Sequence, residues 1–293
     1  MNWKLSNVLS VSISLIVLGG ANRAGAQLEG EYQVQPIHSR YAQTQKNWVT
    51  LNTTARVFND VQLQEANSFD GWGIDADLTV RIPWTERWQV RVFWPFYTEG
   101  HAKLTDPGHP DTGRRIRIDG YGGIFDFPNV QAEYQFLKET NSGWNGSVYG
   151  GYGESRRVLR TSAIDTDRYN HAGENLLFGL RGDWRCGDDW RFVANVGGRY
   201  YLLSDDINPG RGADEFAMAD ISGAAIYHPW KAPIFPVVEL VYQGDFSSYN
   251  SLLLVPEIII ATCRNFELKV GGEFGLTSDG ESVGGRLQGT LRF

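Results

Sequence analysis

Gly284-Gly285-Arg286-Leu287-Gln288-Gly289-Thr290-Leu291-Arg292-Phe293 closes the chain, and it alternates without a fault. Leu287, Gly289, Leu291 and Phe293 fall on one face; Arg286, Gln288, Thr290 and Arg292 fall on the other. Period-two alternation of this kind marks a strand with one apolar and one polar face. The pattern recurs upstream. In residues 71–82, Trp72, Ile74, Ala76, Leu78, Val80 and Ile82 alternate with Asp75, Asp77, Thr79 and Arg81. In residues 265–277, Phe266, Leu268, Val270, Phe274 and Leu276 alternate with Glu267, Lys269 and Glu273. In a water-soluble sandwich the apolar face is core. In a membrane barrel it faces lipid, and the charged face lines the lumen.

The spacing predicts twelve strands, at residues 48–59, 71–82, 88–98, 122–137, 144–155 and 173–185, then 190–202, 215–228, 234–246, 252–262, 265–277 and 284–293. Most are near the roughly 9–11 residues that a tilted strand needs to cross a bilayer. The connections separate barrel from sandwich. Tight ones fall at 83–87, 138–143, 186–189, 229–233 and 263–264, and longer ones at 60–70, 99–121, 156–172 and 203–214. The last two, 247–251 and 278–283, are short but polar. Short turns alternating with long polar loops is the outer-membrane pattern of periplasmic turns and extracellular loops. Trp48, Trp84, Trp88, Trp184, Trp190 and Trp230 sit at or beside the predicted periplasmic ends of strands, where an indole buries its ring and wets its N–H. The fold class expected is therefore all-β, a twelve-stranded antiparallel transmembrane barrel. Phe293, with Leu291 on the same face, resembles the terminal aromatic signal by which Gram-negative outer-membrane barrels are recognised for insertion.

The opposite end of the chain supports export. Lys4 precedes a short apolar run over residues 8–20, and Ala24-Gly25-Ala26 stands before Gln27 in the form of a signal-peptide cleavage site. The expected division is a signal peptide at 1–26, a polar segment at 27–47 and the barrel at 48–293. The polar segment is either a loose periplasmic arm or a small plug in the lumen. Localisation in the outer membrane, by way of the periplasm, follows. Mean hydropathy is −0.33, and the most apolar mature stretch, residues 252–261, is broken by Pro256 and Glu257, which excludes a helical membrane protein. A net charge of −7 argues against a nucleic-acid partner. Cys186 and Cys263 fall on turns four strands apart around the rim, beyond the ~7 Å reach of a disulfide, so two free thiols are expected.

The second half carries a more specific likeness. Pro236-Val237-Val238-Glu239-Leu240, then Leu254-Val255-Pro256-Glu257, then Asn265-Phe266-Glu267-Leu268-Lys269-Val270-Gly271-Gly272 and the final Phe293 resemble the family named for an outer-membrane protein of the phenol meta-cleavage pathway. The resemblance implies an outer-membrane channel or transporter-like protein tied to small, often aromatic, compounds. It brings no catalytic residues.

Chemistry is sparse. His38, His101, His109, His171 and His228 lack the His-x-Ser spacing of the barrel phospholipases, and each reads as a solvated histidine. Asp165, Asp167, Asn170 and Glu174 lack the glycine and ligand spacing of a calcium loop. The acidic outer loops read as solvated faces, with cation bridging to lipopolysaccharide the sharper alternative. No catalytic, cofactor or metal site is expected.

Strand parity instead directs attention to the lumen. It turns inward Arg56, Asp75, Asp77, Arg81, Arg91, Glu133, Arg181, Asp183, Arg185, Arg199, Asp220, Glu239, Glu257, Glu267, Lys269, Glu273, Arg286 and Arg292. Both signs are present in similar number, which predicts cross-strand pairs such as Asp77 with Arg91 and Glu273 with Arg286 rather than a pore of one sign. The function expected is passive diffusion of small solutes, aromatic or apolar ones among them, through a narrow lumen. A closed barrel whose outer loops bind a ligand or partner is the alternative, and a membrane enzyme the third. Expected partners are outer-membrane lipid and lipopolysaccharide, and the barrel assembly machinery through the terminal strand.

Overall fold

The computed structural model describes residues 34–42, 49–63, 67–105, 112–113, 115–120, 128–138, 143–155, 157–160, 173–202, 216–228, 233–247, 250–263 and 265–293. Among them are fourteen strands: β1 (Val49–Leu63), β2 (Asn67–Pro83), β3 (Trp88–Leu104), β4 (Arg115–Gly120), β5 (Asn129–Leu137), β6 (Trp144–Ser155) and β7 (Arg157–Arg160). The rest are β8 (Gly173–Cys186), β9 (Trp190–Tyr201), β10 (Phe216–Tyr227), β11 (Ile234–Gly244), β12 (Asn250–Cys263), β13 (Phe266–Gly275) and β14 (Val283–Arg292). All pairings are antiparallel, and the sheet closes. β1 pairs with β2 on one side and with β14 on the other, from Thr50 opposite Arg292 to Asn59 opposite Val283.

Fourteen strands occupy twelve places in the ring. β5 pairs with the first half of β3 and β4 with its second half, so both lie beside β3. β6 and β7 likewise share the next place, beside β5 and β4 respectively. The expected fourth strand, 122–137, is thus observed only from Asn129, and residues 121–127 lie outside the described residues. The expected loop at 60–70 is mostly strand: β1 and β2 run 15 and 17 residues, past the length a bilayer demands, and continue as a hairpin on the outer side. A register shift between Phe58 and Val61, with Asp60 at φ +50°, turns this extension, and Asp60 N–H donates to the Asp70 carboxylate at 2.9 Å.

Alternation becomes burial. Along β11, Phe235, Val237 and Glu239 are buried, while Ile234, Val238 and Leu240 are about half exposed. Phe178, Leu180, Val196, Ile258, Val270 and Leu287 continue the outward apolar belt on other strands. At the end of β14, Arg292 faces inward at 5% exposure, and Phe293 just beyond it faces outward at 65%. Near the tight turns, Trp144 and Trp184 stack at 5.1 Å, Trp184 continues to Phe192, and Trp190 meets Phe192 and Tyr227. This is an interfacial aromatic girdle. Trp48 and Trp230 lie outside the described residues. Gly143, at φ +70°, makes one tight turn, where a Cβ would press on the Arg185 carbonyl. Cys186 and Cys263 end β8 and β12 and are free.

The candidate site in the lumen

Residues 34–42 run inside the barrel. They have no period because they form neither helix nor strand, and their conformation is imposed by the wall. Two contacts hold them. The first is apolar: Val34 and Tyr41 pack in one cluster with Val193, Ala224, Ile226, Phe235, Val237, Ile259 and Ala261 from β9 to β12. The second is polar, and it is made by successive backbone N–H groups. Ile37 N–H points at both oxygens of Glu257 (3.3 Å), His38 N–H at Glu239 Oε2 (3.1 Å), and Ser39 N–H at Glu239 Oε1 (2.8 Å). Arg40 N–H donates to Asn195 Oδ1, and Asn195 Nδ2 returns a bond to the Arg40 carbonyl, each at 2.7 Å. Ala42 N–H donates to Asp183 Oδ2 at 2.8 Å. The bonds to the Glu257, Glu239 and Asp183 carboxylates are stronger than ordinary peptide bonds.

Side chains extend the grip. Ser39 Oγ meets Ser222 Oγ at 3.1 Å, and His38 Nε2 lies 3.0 Å from Glu273 Oε1. Among the described residues, every hydrogen bond from residues 34–42 to the wall goes to β8–β13. The Arg40 guanidinium turns back onto the carbonyls of Pro36, Ile37 and Ser39 at 3.1–3.2 Å, which keeps the turn compact. Burial pulls this guanidinium below its ordinary value, opposed by the charges of Asp77 and Glu239. Burial likewise pushes the Tyr41 phenol up.

Two further networks stiffen the wall. Glu133 accepts from Gln89 Nε2 (2.9 Å), Ser147 Oγ (2.6 Å) and Arg181 Nη1 (2.6 Å), and the Arg181 guanidinium lies 4.1 Å above the Tyr149 ring. Tyr149 fits because Gly179 and Gly197 are bare; a Cβ on either would collide with its hydroxyl. Asn145 links Gln135 to Asp183. Across the closing seam, Glu267 takes Arg292 in a two-pronged pair (2.6 and 3.2 Å) and Lys269 at 3.2 Å. Lys269 continues to Gln288 and Thr54, Thr290 to Asn52, and Asn52 to Asp77. On the outer side of the lumen, Arg56 pairs with Asp75 (3.3 Å), Arg199 with Asp220 (2.9 Å) and Arg286 with Glu273 (2.6 Å).

The structure corrects the sequence reading at four points. Asp77 and Arg91 do not pair: a shift of register between Ala76 and Asp77 sets Asp77 opposite Pro95 and Arg91 opposite Arg81, and Asp77 takes Asn52 instead. Arg185 sits at the turn, 44% exposed and bonded to Asp188, not in the lumen. His38 is not solvated but held by Glu273. The wall around residues 34–42 is not wholly polar, since Phe235, Val237 and Ile259 point inward. That last feature had a legible signal: the parity that turns Glu239 and Glu257 inward also turns Phe235, Val237, Ile259 and Ala261 inward. An apolar patch inside a wet lumen needs a cover.

Between the segment and the opposite wall lies a cavity of about 10 Å³, room for one water-sized occupant. Gln35 and Arg40 bound it on one side. Thr50, Asn52, Thr79, Arg81, Arg91, Lys269, Gln288, Thr290 and Arg292 bound it on the other.

The sequence matches no known protein family and no curated protein at a recognisable level. The fold does have relatives. An outer-membrane channel from Pseudomonas putida F1 superposes with a TM-score of 0.61 at 10% identity, over 89% of this chain and 100% of that one. The transport unit of the autotransporter AIDA-I from Escherichia coli superposes with a TM-score of 0.52 at 11% identity, over 89% and 93%. The chain is thus an all-β, closed twelve-stranded antiparallel barrel of the outer-membrane type.

Proposed function

We propose that the barrel is an outer-membrane channel for the passive movement of small solutes, with its route running between residues 34–42 and the wall formed by β13, β14, β1, β2 and β3. One observation carries this reading. Among the described residues the segment is hydrogen-bonded along the wall from β8 to β13, and the wall opposite keeps a polar face toward the lumen axis. The shared fold of the Pseudomonas putida channel supports it. Transport, and not catalysis, is the role the side chains suit: among the described residues no serine, threonine or cysteine is hydrogen-bonded to a histidine side chain, and His38 is engaged with a carboxylate. Aromatic or apolar solutes are the class that the family resemblance implies.

A closed barrel whose outer loops bind a ligand is the second reading, favoured by the small size of the cavity. Refolded full-length mature protein in planar bilayers decides. Discrete small conductance steps, with liposome permeability to small solutes but not to disaccharides, are expected. Heat-modifiable, correctly folded protein that passes neither ions nor any solute would replace the channel with the closed barrel.

A further inference from the structure

The interior charges divide by wall. The acids that face residues 34–42 are occupied by its N–H groups: Glu239, Glu257 and Asp183 each accept from the segment's backbone, and Glu273 is shared between His38 and Arg286. Glu133 is taken by Arg181, and Glu267 by Arg292 and Lys269. Asp77 stands behind the lining, bonded to Asn52 at 2.7 Å and near enough to Arg40 to act on its charge, while the charged groups of the lining itself are basic. Arg40, Arg81, Arg91, Lys269 and Arg292 line it, with hydroxyl and amide donors between them, and no carboxylate does.

Three of the five cations, Arg40, Arg81 and Arg91, form no ion pair among the described residues. Arg40 bonds its own turn, and Arg81 donates only to Thr50 Oγ1, at 3.0 Å, while 7% exposed. Among the described residues the buried Arg91 Nε has no hydrogen-bond partner, and its guanidinium lies 5.6 Å from the Phe93 ring. Packing guanidinium groups together away from water is costly unless opposite charge balances them, and the single Asp77 carboxylate does not balance Arg40, Arg81 and Arg91. The hydroxyls of Thr50 and Thr79 and the second amide N–H of Asn52 and of Gln288 add neutral donors around the same space.

We infer that this cavity is a binding site for a compact monoanion, chloride or the carboxylate end of a small organic acid, held between Arg40 of the lumen segment and Arg81 and Arg91 of the wall. Arg40 reaches it only because the acidic wall captures the backbone on either side of it. The site is therefore completed by the segment, and anion occupancy and segment placement stabilise each other. This assignment does not require that the barrel conduct.

The test is thermal unfolding of refolded protein in an uncharged detergent, at constant sodium and with a bulky sulfonate buffer as the exchanged anion. Acetate and chloride are titrated separately. A saturating rise is expected for at least one, about 2–4 °C at roughly five times its Kd. A rise with acetate alone assigns a carboxylate, and one with chloride alone a halide. The rise should be lost in Arg91→Gln and weakened in Arg40→Gln, while Arg199→Gln, outside the site, keeps it. Because a buried change can disturb folding, Arg91→Lys serves as the second variant: it keeps the charge and should retain a reduced shift. No rise with either anion in the unaltered protein, or an equal rise in Arg91→Gln and Arg40→Gln, would overturn the assignment whether or not the protein forms pores.

Discussion

At the residue scale, single carboxylates decide where the lumen segment lies. Glu239 is fully buried and takes two consecutive N–H groups, from His38 and Ser39. In Glu239→Gln the amide nitrogen would face a donor, leaving at least one of these N–H groups unpaired, a loss of about 1–3 kcal/mol. Amide exchange at Ile37, His38 and Ser39 should then quicken roughly 5- to 150-fold, while amides of β11 stay protected. Unchanged exchange at those three positions would mean that the apolar cluster alone holds the segment. Glu281 supplies a pH signal from the connection between β13 and β14. Desolvation, aided by the charge of Glu273, pushes its carboxyl up to about 8. The folded state therefore binds this proton more tightly than the unfolded chain. Stability is fully present below the unfolded value near 4.5, and it declines as pH rises toward about 8. Unfolding temperatures should fall over that window in the unaltered protein and fall less in Glu281→Gln; parallel profiles would remove Glu281 as the cause. The inward placement of these acids was legible from parity. Their partners were not, because a turn that donates its backbone leaves no side-chain pattern in residues 34–42.

At the scale of elements, the strands were the readable part. Each crosses between lipid and a polar interior, so every second residue carries the signal, and observed ends lie within a few residues of expected ones for β8–β14. The extension of β1–β3 was hidden, because outside the membrane a hairpin has no apolar face to write. The terminal strand offers a two-faced test. Phe293 is outward and exposed, whereas Arg286 is inward and paired to the buried Glu273. Phe293→Ala should lower the yield of heat-modifiable barrel in the outer membrane. Arg286→Ala should assemble but lose stability. Breaking a buried pair from one side costs about 3–5 kcal/mol, and His38, still beside Glu273, keeps the loss toward the lower end or beneath it. A barrel whose assembly is indifferent to Phe293, with a melting temperature indifferent to Arg286, would detach both faces of β14 from these roles.

At the scale of the whole molecule, the sign of the lumen depends on whether residues 34–42 are in place. The interior holds acids and bases in similar number, which by composition alone suggests weak selectivity. Position changes that balance. Asp183, Glu239, Glu257 and Glu273 have oxygens turned to the segment, while across the cavity Arg81, Arg91, Lys269 and Arg292 outnumber Asp77 and Glu267. A permeating ion would thus meet bases first, and the full-length protein should prefer anions. Deleting residues 27–47 removes Arg40 and uncovers Glu239, Glu257 and Asp183. It also strips Glu273 of His38. The bore widens and gains free carboxylates in the same stroke, and unpaired charge of one sign is what sets ion preference in a narrow pore. In a tenfold salt gradient the reversal potential should change sign, from anion-preferring in the full-length chain to cation-preferring in the deletion, with a larger single-channel conductance. The apolar patch of Phe235, Val237 and Ile259 would be bared as well, so the deletion should fold less stably, and folding is checked by heat modifiability before currents are recorded. A deletion that folds, conducts more and keeps the original sign of the reversal potential would show that the segment narrows the bore without masking its acids.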